Sequence, residues 1–596
     1  MEIQDFVTDI FFPDMLFCIT IRSPIAKGKL VSINCPKLPE GYMLLTAKDI
    51  PGKNFLYDTS MPILADDDLS YIGEPVALLL GPERDMLEEF VKECKLITKK
   101  EKPVFFSSTV NETMATVKRK RVTGDPHNAF LNADSVIKDK YTSGIQEHWY
   151  AETISAVTYF DTNKNRKNLT VKTASQWPNH VKHSVAAMLG TAASKIIFKE
   201  AHLGLPLDGK QWYPSLIACQ AALCTWLTKK PVRLTLTRGE DFMFSPKRFA
   251  AEIDMESAFD ENAELLGLKI KAYVNLGSYG VYADEIMDNV YLGCLGIYDI
   301  KNIDFEAYGI MTNIPPQGAF AGFGLAQGNF AFERHISQKY EKSNLNPIEW
   351  RKKNVLKQKM LPAKLPLNDA FPSLNLINSV SKMSGFERKW AAYSLMSKSF
   401  SRESINKGIG IALGYHGNGL LHYDPNIGKK RLKHSNNEIW NEHFSLNEND
   451  IIDYSSFSHP AFIAAVVEIE IDPIEIIPNI RGVWLCVDGG KIIDKDKAVW
   501  NLKAATVQAL CWAYNERLSY IEGVIPIEQF DNFDIIAPLK IPPINIEFLE
   551  SSADEKDLGN LPFTCIPAAY LQAVSQTMEY HFKSIPLKAL DILGRK

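Results

Sequence analysis

The stretch Pro315-Pro316-Gln317-Gly318-Ala319-Phe320-Ala321-Gly322-Phe323-Gly324 interleaves three glycines with two phenylalanines. It follows an apparent strand, Phe305 to Met311, and a Thr-Asn turn. Glycine lets a backbone fold tightly and come close to a ligand. Paired aromatic rings in such a loop can sandwich a flat heterocycle. Taken alone, the decapeptide reads as a tight turn whose phenylalanines belong to the core. The sequence around it shifts that reading.

Upstream stand Ile21-Arg22-Ser23-Pro24, Leu45-Thr46-Ala47-Lys48-Asp49-Ile50-Pro51-Gly52 and Tyr71-Ile72-Gly73-Glu74-Pro75-Val76-Ala77. They are followed by Gln146-Glu147-His148-Trp149-Tyr150-Ala151-Glu152, Leu236-Thr237-Arg238-Gly239-Glu240-Asp241 and Ser245-Pro246-Lys247-Arg248. In this order, and with the glycine loop, they resemble the molybdenum-binding subunit of the xanthine dehydrogenase and aldehyde oxidase family. The first three look like that family's small leading domain, and Gln146 to Glu152 like the segment that opens its molybdenum domain.

The resemblance implies a mixed α/β (α+β) fold. It places a small hammerhead-like N-terminal domain at 1–115 and a first lobe of a molybdopterin-binding-like domain at 127–360. A second lobe follows at 368–596. It implies an oxidoreductase with molybdopterin–molybdenum as cofactor. No iron–sulfur ligation pattern is present in the chain, and no flavin site is expected. Separate iron–sulfur and flavin subunits, or a second copy of the chain, are the candidate partners. By position, Gln176, Gly204, Leu207, Gly209 and Ala321 stand at cofactor-binding places. Phe320, Phe323 and Asn289 stand at the substrate pocket. No metal ligand and no catalytic residue is assigned.

Four departures set the chain apart from what the family implies. The family's general-base glutamate sits in a Gly-Glu-Pro-Pro stretch, where this sequence has Gly559-Asn560-Leu561-Pro562, with Lys556 matching a lysine just before it. An amide cannot accept a proton at any working pH. Glu550 and Glu555 lie nearby on an irregular loop, where alignment for catalysis is not expected. The family's glycine-rich loop appears as Gly204-Leu205-Pro206-Leu207-Asp208-Gly209-Lys210. Runs of glycine let several amides point at one anionic group; Pro206 removes one such donor, and Asp208 adds a negative charge. Ala321 replaces an arginine of the family loop. Gln176, in Ala174-Ser175-Gln176-Trp177-Pro178, matches a glutamine that contacts a molybdenum oxo ligand, and is equally readable as a solvated surface residue.

The fourth departure is a missing block. Between Gly408-Ile409-Gly410-Ile411-Ala412-Leu413 and Ala464-Ala465-Val466-Val467-Glu468-Ile469-Glu470 the family has a pterin-gripping Gly-Gln-Gly segment. Here a polar run from Lys429 to Asp453 takes its place, and a later Gly-Gln pair appears as Trp500-Asn501. Together these changes predict a degenerate, shortened member. The competing expectation is an active hydroxylase of a heterocycle or aldehyde, with Phe320 and Phe323 shaping the slot and a second chain completing the site.

Length and composition agree with a multi-domain globular protein. The chain has 596 residues, 46% hydrophobic and 23% charged, within the usual range. A net charge of −5 and a pI near 6.2 give no reason to expect nucleic acid or an anionic membrane. The basic runs Lys118-Arg119-Lys120-Arg121 and Lys429-Lys430-Arg431 read as solvated loops. Met1 to Leu16 carries four acids and no basic region, which predicts no signal peptide, and no uncharged apolar run has membrane-spanning length. The nine scattered cysteines, with no Cys-x-x-Cys, are expected to be buried reduced thiols in a cytoplasmic protein.

Periodicity predicts a helix from Arg84 to Cys94, buried strands at Pro75 to Leu80 and 408–415, and a half-buried strand at Leu169 to Thr173. Helices are predicted at Trp177 to Leu189, Tyr213 to Leu227, Ala326 to Lys342, Ala498 to Leu518 and Ile566 to Tyr580. Thr109 to Pro126 reads as a polar linker. Gly204 to Lys210 has the spacing of a phosphate loop, but Gln211 replaces the needed hydroxyl. His416 and His422 read as ordinary loop residues.

Overall fold

Short period-two segments in the first hundred residues form strands, because alternate side chains of an extended chain point to opposite faces. The structure, a computed structural model, describes residues 6–107, 109–161, 168–318, 320–343, 345–357, 371–397, 406–417, 460–472, 477–531, 540–587 and 589–593. The leading segment holds β1 (Leu16–Arg22), β2 (Gly28–Asn34), β3 (Met43–Thr46), β4 (Asp68–Leu69) and β5 (Pro75–Gly81). Helix α1 (Arg84–Glu93) and β6 (Lys95–Lys100) complete it. Asn34 at the end of β2 pairs with Lys95 at the start of β6. That register brings Cys35 and Cys94 together as a disulfide across 59 residues of sequence. The expectation of nine reduced thiols is corrected here, because strand pairing and not local spacing sets the encounter. The remaining seven cysteines are buried and outside any disulfide.

The next segment runs β7 (Val117–Thr123), α2 (Pro126–Leu131), β8 (Ser135–Ser143), β9 (Ser155–Phe160), β10 (Leu169–Thr173), α3 (Pro178–Met188) and β11 (Ile196–Glu200). It continues through α4 (Tyr213–Thr228), β12 (Val232–Thr235), α5 (Arg238–Phe244), β13 (Ala251–Phe259), β14 (Leu265–Gly277), α6 (Ala283–Leu295) and β15 (Asn302–Met311). Helices α7 (Leu325–Ser343) and α8 (Pro347–Asn354) follow. Strand β7 corrects two expectations at once, the 109–126 linker and the solvated basic loop at 118–121. It pairs antiparallel with β15. Arg119 turns inward to Asp288 at 3.2 Å and to Asp284, while Lys120 faces outward to Glu306. Charges on an edge strand also discourage pairing with another chain.

A seven-stranded sheet in the order β11-β10-β9-β12-β1-β5-β3 joins the leading segment to the next one. β1 runs parallel to β12 and antiparallel to β5. Strand β10, expected to be half-buried, is covered on both faces, since Leu169, Thr170 and Val171 are all buried. Helix α4 is buried along nearly its whole length and packs on β9, as a helix apolar all round must. A six-stranded sheet, β20 (Ser584–Ile585)-β8-β13-β14-β15-β7, carries α6 and α7.

The last segment contains α9 (Ser373–Ser384), α10 (Phe386–Ser397), β16 (Asn406–His416), β17 (Ala461–Ile471), β18 (Pro478–Asp488), β19 (Ile544–Phe548) and β20 (Ser584–Ile585). The helix Leu561–Met578 lies against β16 and β17. A Cβ on Gly408 would stand 2.0 Å from the Ala573 carbonyl oxygen, and one on Gly410 2.1 Å from that of Ala569. Only glycine allows that approach. The helix Lys495–Leu510 ends in a π turn at Cys511–Asn515, so the helix expected to reach Leu518 stops short. His416, expected in a loop, is buried at the end of β16. His422, the run from Lys429 to Asp453 and the expected second-lobe start at 368 lie outside the described residues. Among the described residues, no helix is long and apolar enough to cross a membrane.

Candidate functional site

Four loops meet near the carboxyl end of β10. The first, 204–210, leads from β11 toward α4. Leu207 and Asp208 take left-handed backbone at φ 46° and 64°, a region costly for a side chain such as leucine. The turn is closed by the Gly209 amide on the Pro206 carbonyl at 2.8 Å. A Cβ on Gly209 would lie 2.4 Å from the His148 ring, so glycine is required there. Gly204 stands at the exposed start of the loop.

Gln176 is bound into this loop at three points. Its amide donates to the Lys210 carbonyl at 2.7 Å, and its side-chain carbonyl accepts from the Lys210 amide at 3.3 Å. Its Nε2 donates to the Asp208 carboxylate at 3.1 Å. The solvated reading of Gln176 therefore gives way to a bonded one.

The second loop is the decapeptide. Gly318, Gly322 and Gly324 have φ of 96°, 88° and 116°, and a Cβ on Gly324 would stand 2.7 Å from the Ile286 carbonyl oxygen. The Ala321 amide donates to the Leu207 carbonyl at 2.9 Å, which ties this loop to the first. Phe320 does not face an open slot. Its ring stacks on His148 at 4.2 Å, and the Arg248 guanidinium lies 4.1 Å from its centroid. Phe323 is buried and its amide closes a turn on the Phe320 carbonyl. Asn289, on α6, spends its Nδ2 on Glu285 of the same helix.

The third loop is Gln146-Glu147-His148, which lies over a set of buried charges. Glu147 pairs with Lys247 at 2.9 Å, both fully enclosed. The Gln146 Nε2 donates to Glu516 at 3.0 Å, and its Oε1 accepts from Arg248 Nε at 2.9 Å. Burial pushes the Glu516 carboxyl up to about 8 and brings the Arg248 guanidinium down to about 9. Arg248 is packed against Phe320, Trp512 and Phe563, and its Nη2 has no hydrogen-bond partner among the described residues. Burial also lowers Lys210.

The fourth loop precedes the helix Leu561–Met578. Asn560 Nδ2 donates to Asp557 at 3.4 Å, and the Asn560 side chain lies beside Asp208. Lys556 pairs with Asp488 at 2.8 Å. Burial, and next the nearby Asp557, hold the Asp208 carboxyl above its ordinary range. Glu550 and Glu555 are exposed. Among the described residues, no group of three or more His, Cys, Asp or Glu is placed to hold a metal ion.

The structure thus brings Gln176, Leu207, Gly209, Phe320, Ala321 and Asn560 together around Asp208 and His148. Sequence reasoning did not single out Arg248, His148, Asp557 or Glu516 as parts of the site. The first two lie in quoted landmarks. Glu516 had no signal, because its importance comes from burial beside Gln146, hundreds of positions earlier.

Comparison with known proteins agrees with this arrangement. Residues 106–355 match the family model of the molybdopterin cofactor-binding domain. The chain is 26% identical over 398 residues to the nicotinate dehydrogenase large molybdopterin subunit of Eubacterium barkeri, covering 64% of this chain and 92% of that one. It is 28% identical over 348 residues to aldehyde oxidase 2 of Rattus norvegicus, covering 57% of this chain but 26% of the oxidase; it thus spans about a quarter of that relative's length. The fold matches the aldehyde oxidoreductase of Desulfovibrio gigas with a TM-score of 0.80 at 16% identity, over 99% of this chain and 78% of that one. The landmarks, the ordered loops and these matches agree: residues 106–355 carry a molybdopterin cofactor-binding domain, and the chain is similar to nicotinate dehydrogenase, xanthine dehydrogenase and aldehyde oxidase proteins.

Proposed function

We propose that this molybdenum hydroxylase-like chain is catalytically silent and keeps the family fold as a cytoplasmic partner of separate iron–sulfur and flavin subunits. The observation that carries this reading is Asn560. It stands where the family has its general-base glutamate, and its amide is turned toward two carboxylates, Asp557 and Asp208. An amide in that place donates and cannot take a proton.

The residues around it do not fit the family's anionic cofactor. The Gln176 amide group and the Ala321 amide are spent on the chain's own loop 204–210, and the Asn560 side chain on Asp557. A phosphate-bearing, metal-oxo group brought here would face the Asp208 carboxylate with its solvation already lost, which is costly for like charges. Gln176, Gly204, Leu207, Gly209 and Ala321 are accordingly cofactor-binding residues by position only, and Phe320, Phe323 and Asn289 are packed and not pocket-lining in this reading. The seven buried thiols suit a reducing compartment, while the Cys35–Cys94 pair runs against it.

One observation favours a second reading, an active hydroxylase completed by another chain. The carboxyl of Asp208 lies within hydrogen-bond reach of Asn560 and is raised, so a proton acceptor is present beside the altered position. Elemental molybdenum, pterin fluorescence and turnover of purines, aldehydes and nicotinate, measured on protein from its native host, separate the two. Neither molybdenum nor turnover is expected, and N560E is expected to restore none. About one molybdenum per chain with turnover would replace the first reading by the second.

A further inference from the structure

The nine cysteines fall into two chemical populations. Seven are buried thiols, each no more than 4% exposed. Burial pushes the Cys486 thiol up to about 11 and raises Cys18, Cys219, Cys294 and Cys565 as well. Cys18 and Cys224 lie with their sulfurs 3.7 Å apart, yet stay outside any disulfide. Cys35 and Cys94, by contrast, are half-buried and joined. Exposed Asn34, Lys37, Lys92, Glu93 and Lys95 stand close by in sequence. Thiol–disulfide exchange needs a thiolate and a path for it to a sulfur. Access, and not proximity, separates the two pairs.

The bond also has something to hold. Cys35 opens the segment 35–42, which carries Pro36 and Pro39 and leads to β3. Its backbone closes a turn, the Tyr42 amide on the Pro39 carbonyl at 3.2 Å. Proline supplies no amide for a ladder, so side chains seat this segment. Leu38 and Tyr42 share one apolar cluster with Phe90, Val91 and Leu96 around Leu87, and the Tyr42 ring meets that of Phe90 edge-on at 5.4 Å. Cys94 stands at the far end of this contact, where its amide closes α1 on the Phe90 carbonyl at 3.0 Å. The disulfide thus ties the start of the segment 35–42 to the end of α1.

We propose that Cys35–Cys94 is a reversible thiol–disulfide exchange site, a covalent latch between the segment 35–42 and α1 that a dithiol reductant opens. A thiolate of the dithiol attacks one sulfur of the pair, and the other cysteine leaves as a thiolate and takes up a proton. The reductant's second thiol, on losing its proton, attacks the mixed disulfide and releases the remaining cysteine. Two electrons pass from the reductant to the pair, which ends as two thiols, and the reductant ends as a disulfide. The other seven sulfurs take no part, because the fold encloses them. A reachable disulfide in a reducing compartment is characteristically transient or redox-sensing. The inference rests on the cytoplasmic reading above only for the source of the dithiol.

The test exposes the folded full chain to excess dithiothreitol, traps thiols with a maleimide and counts the label by intact mass and peptide mapping. No label is expected before reduction and two per chain afterwards, at Cys35 and Cys94, with the other seven reacting only in urea. Oxidised glutathione, added once the dithiothreitol is removed, should return the count to zero. Amide exchange across 35–42 and the end of α1 should quicken at least about tenfold in the reduced chain, since side chains alone then hold the contact. The C35S, C94S double variant should show the same faster exchange, and reduction of wild type carries the test should that variant fold poorly. Labelling of the pair that needs urea, labelling of the buried cysteines in step with it, or unchanged exchange across 35–42 would each overturn the latch. Such a failure would leave the silent-chain reading standing, whereas molybdenum with turnover in wild type would end that reading and leave the latch.

Discussion

Two buried polar clusters in this molecule are satisfied in different ways. Beneath the six-stranded sheet, Ser257 Oγ meets His335 Nε2 at 2.8 Å, and His335 Nδ1 meets the Tyr141 hydroxyl at 3.2 Å. Tyr141 in turn meets His581 Nε2 at 3.1 Å, and His581 Nδ1 meets Glu341 at 2.7 Å. Burial works against the Glu341 charge, but Arg334 and His581 outweigh it and hold the carboxyl down at about 2. Glu341 therefore only accepts, from Arg334 and from His581, and the His581 Nδ1 also lies 2.8 Å from Arg334 Nη2. Every ring nitrogen and hydroxyl along this chain has a partner. At the site, by contrast, two carboxylates face one amide, and Arg248 keeps an idle donor. The first pattern belongs to a scaffold whose parts agree. The second leaves donors and acceptors unmatched.

That contrast can be broken most forcefully on the scaffold side. Arg351 donates to Glu333 at 2.6 Å and to the Ile411 carbonyl at 2.7 Å, joining α7, α8 and β16 with both side chains fully enclosed. Arg351→Met would leave the Glu333 charge buried without its cation, at a cost of about 3–5 kcal/mol. Urea midpoints would register this, and a loss under about 1 kcal/mol would deny the scaffold its role.

Acid should act next, and on the same side. Burial holds His335 down to about 3 and His180 to about 4, below the free imidazole value of about 6.5. The unfolded chain therefore binds protons that the folded one refuses. Stability should fall as pH drops from about 6.5 toward 4, by at most about 1.4 kcal/mol per unit for each histidine. Below about 4.5 the paired Glu341 adds to the loss. Thermal midpoints between pH 7.5 and 5 test this. H335Q should flatten the slope, and a flat wild-type profile would sink the idea.

The smallest effect sharpens the comparison from the site side, with the opposite sign. The Asp208 carboxyl is raised above its unfolded value, so its contribution favours folding at low pH and is lost as pH rises through the raised value. D208N should stabilise the protein slightly at neutral pH, by less than about 1 kcal/mol, and not at pH 3. A destabilised D208N at pH 7 would mean that the carboxylate supports the loop and does not strain it.

Much of this was legible in the chain itself. The apolar run of α4, the helix at Arg84 to Glu93, the strands around Pro75 and Gly408 and the decapeptide turn announce themselves by period and composition. That Asn560 carries an amide and not a carboxylate is also read from the sequence, because side-chain chemistry needs no coordinates. The basic strand at 118–121 was misread as a loop, since alternating charge looks solvated until Asp288 is seen behind Arg119. The Cys35–Cys94 bond depended on strand register. Tertiary structure alone decided that Phe320 is already stacked on His148 and that Asp208 reaches both Gln176 and Asn560. Residue type determines what a group can donate or accept, and it travels with the sequence. Which groups meet depends on contacts between segments hundreds of residues apart, and those exist only once the sheets have closed.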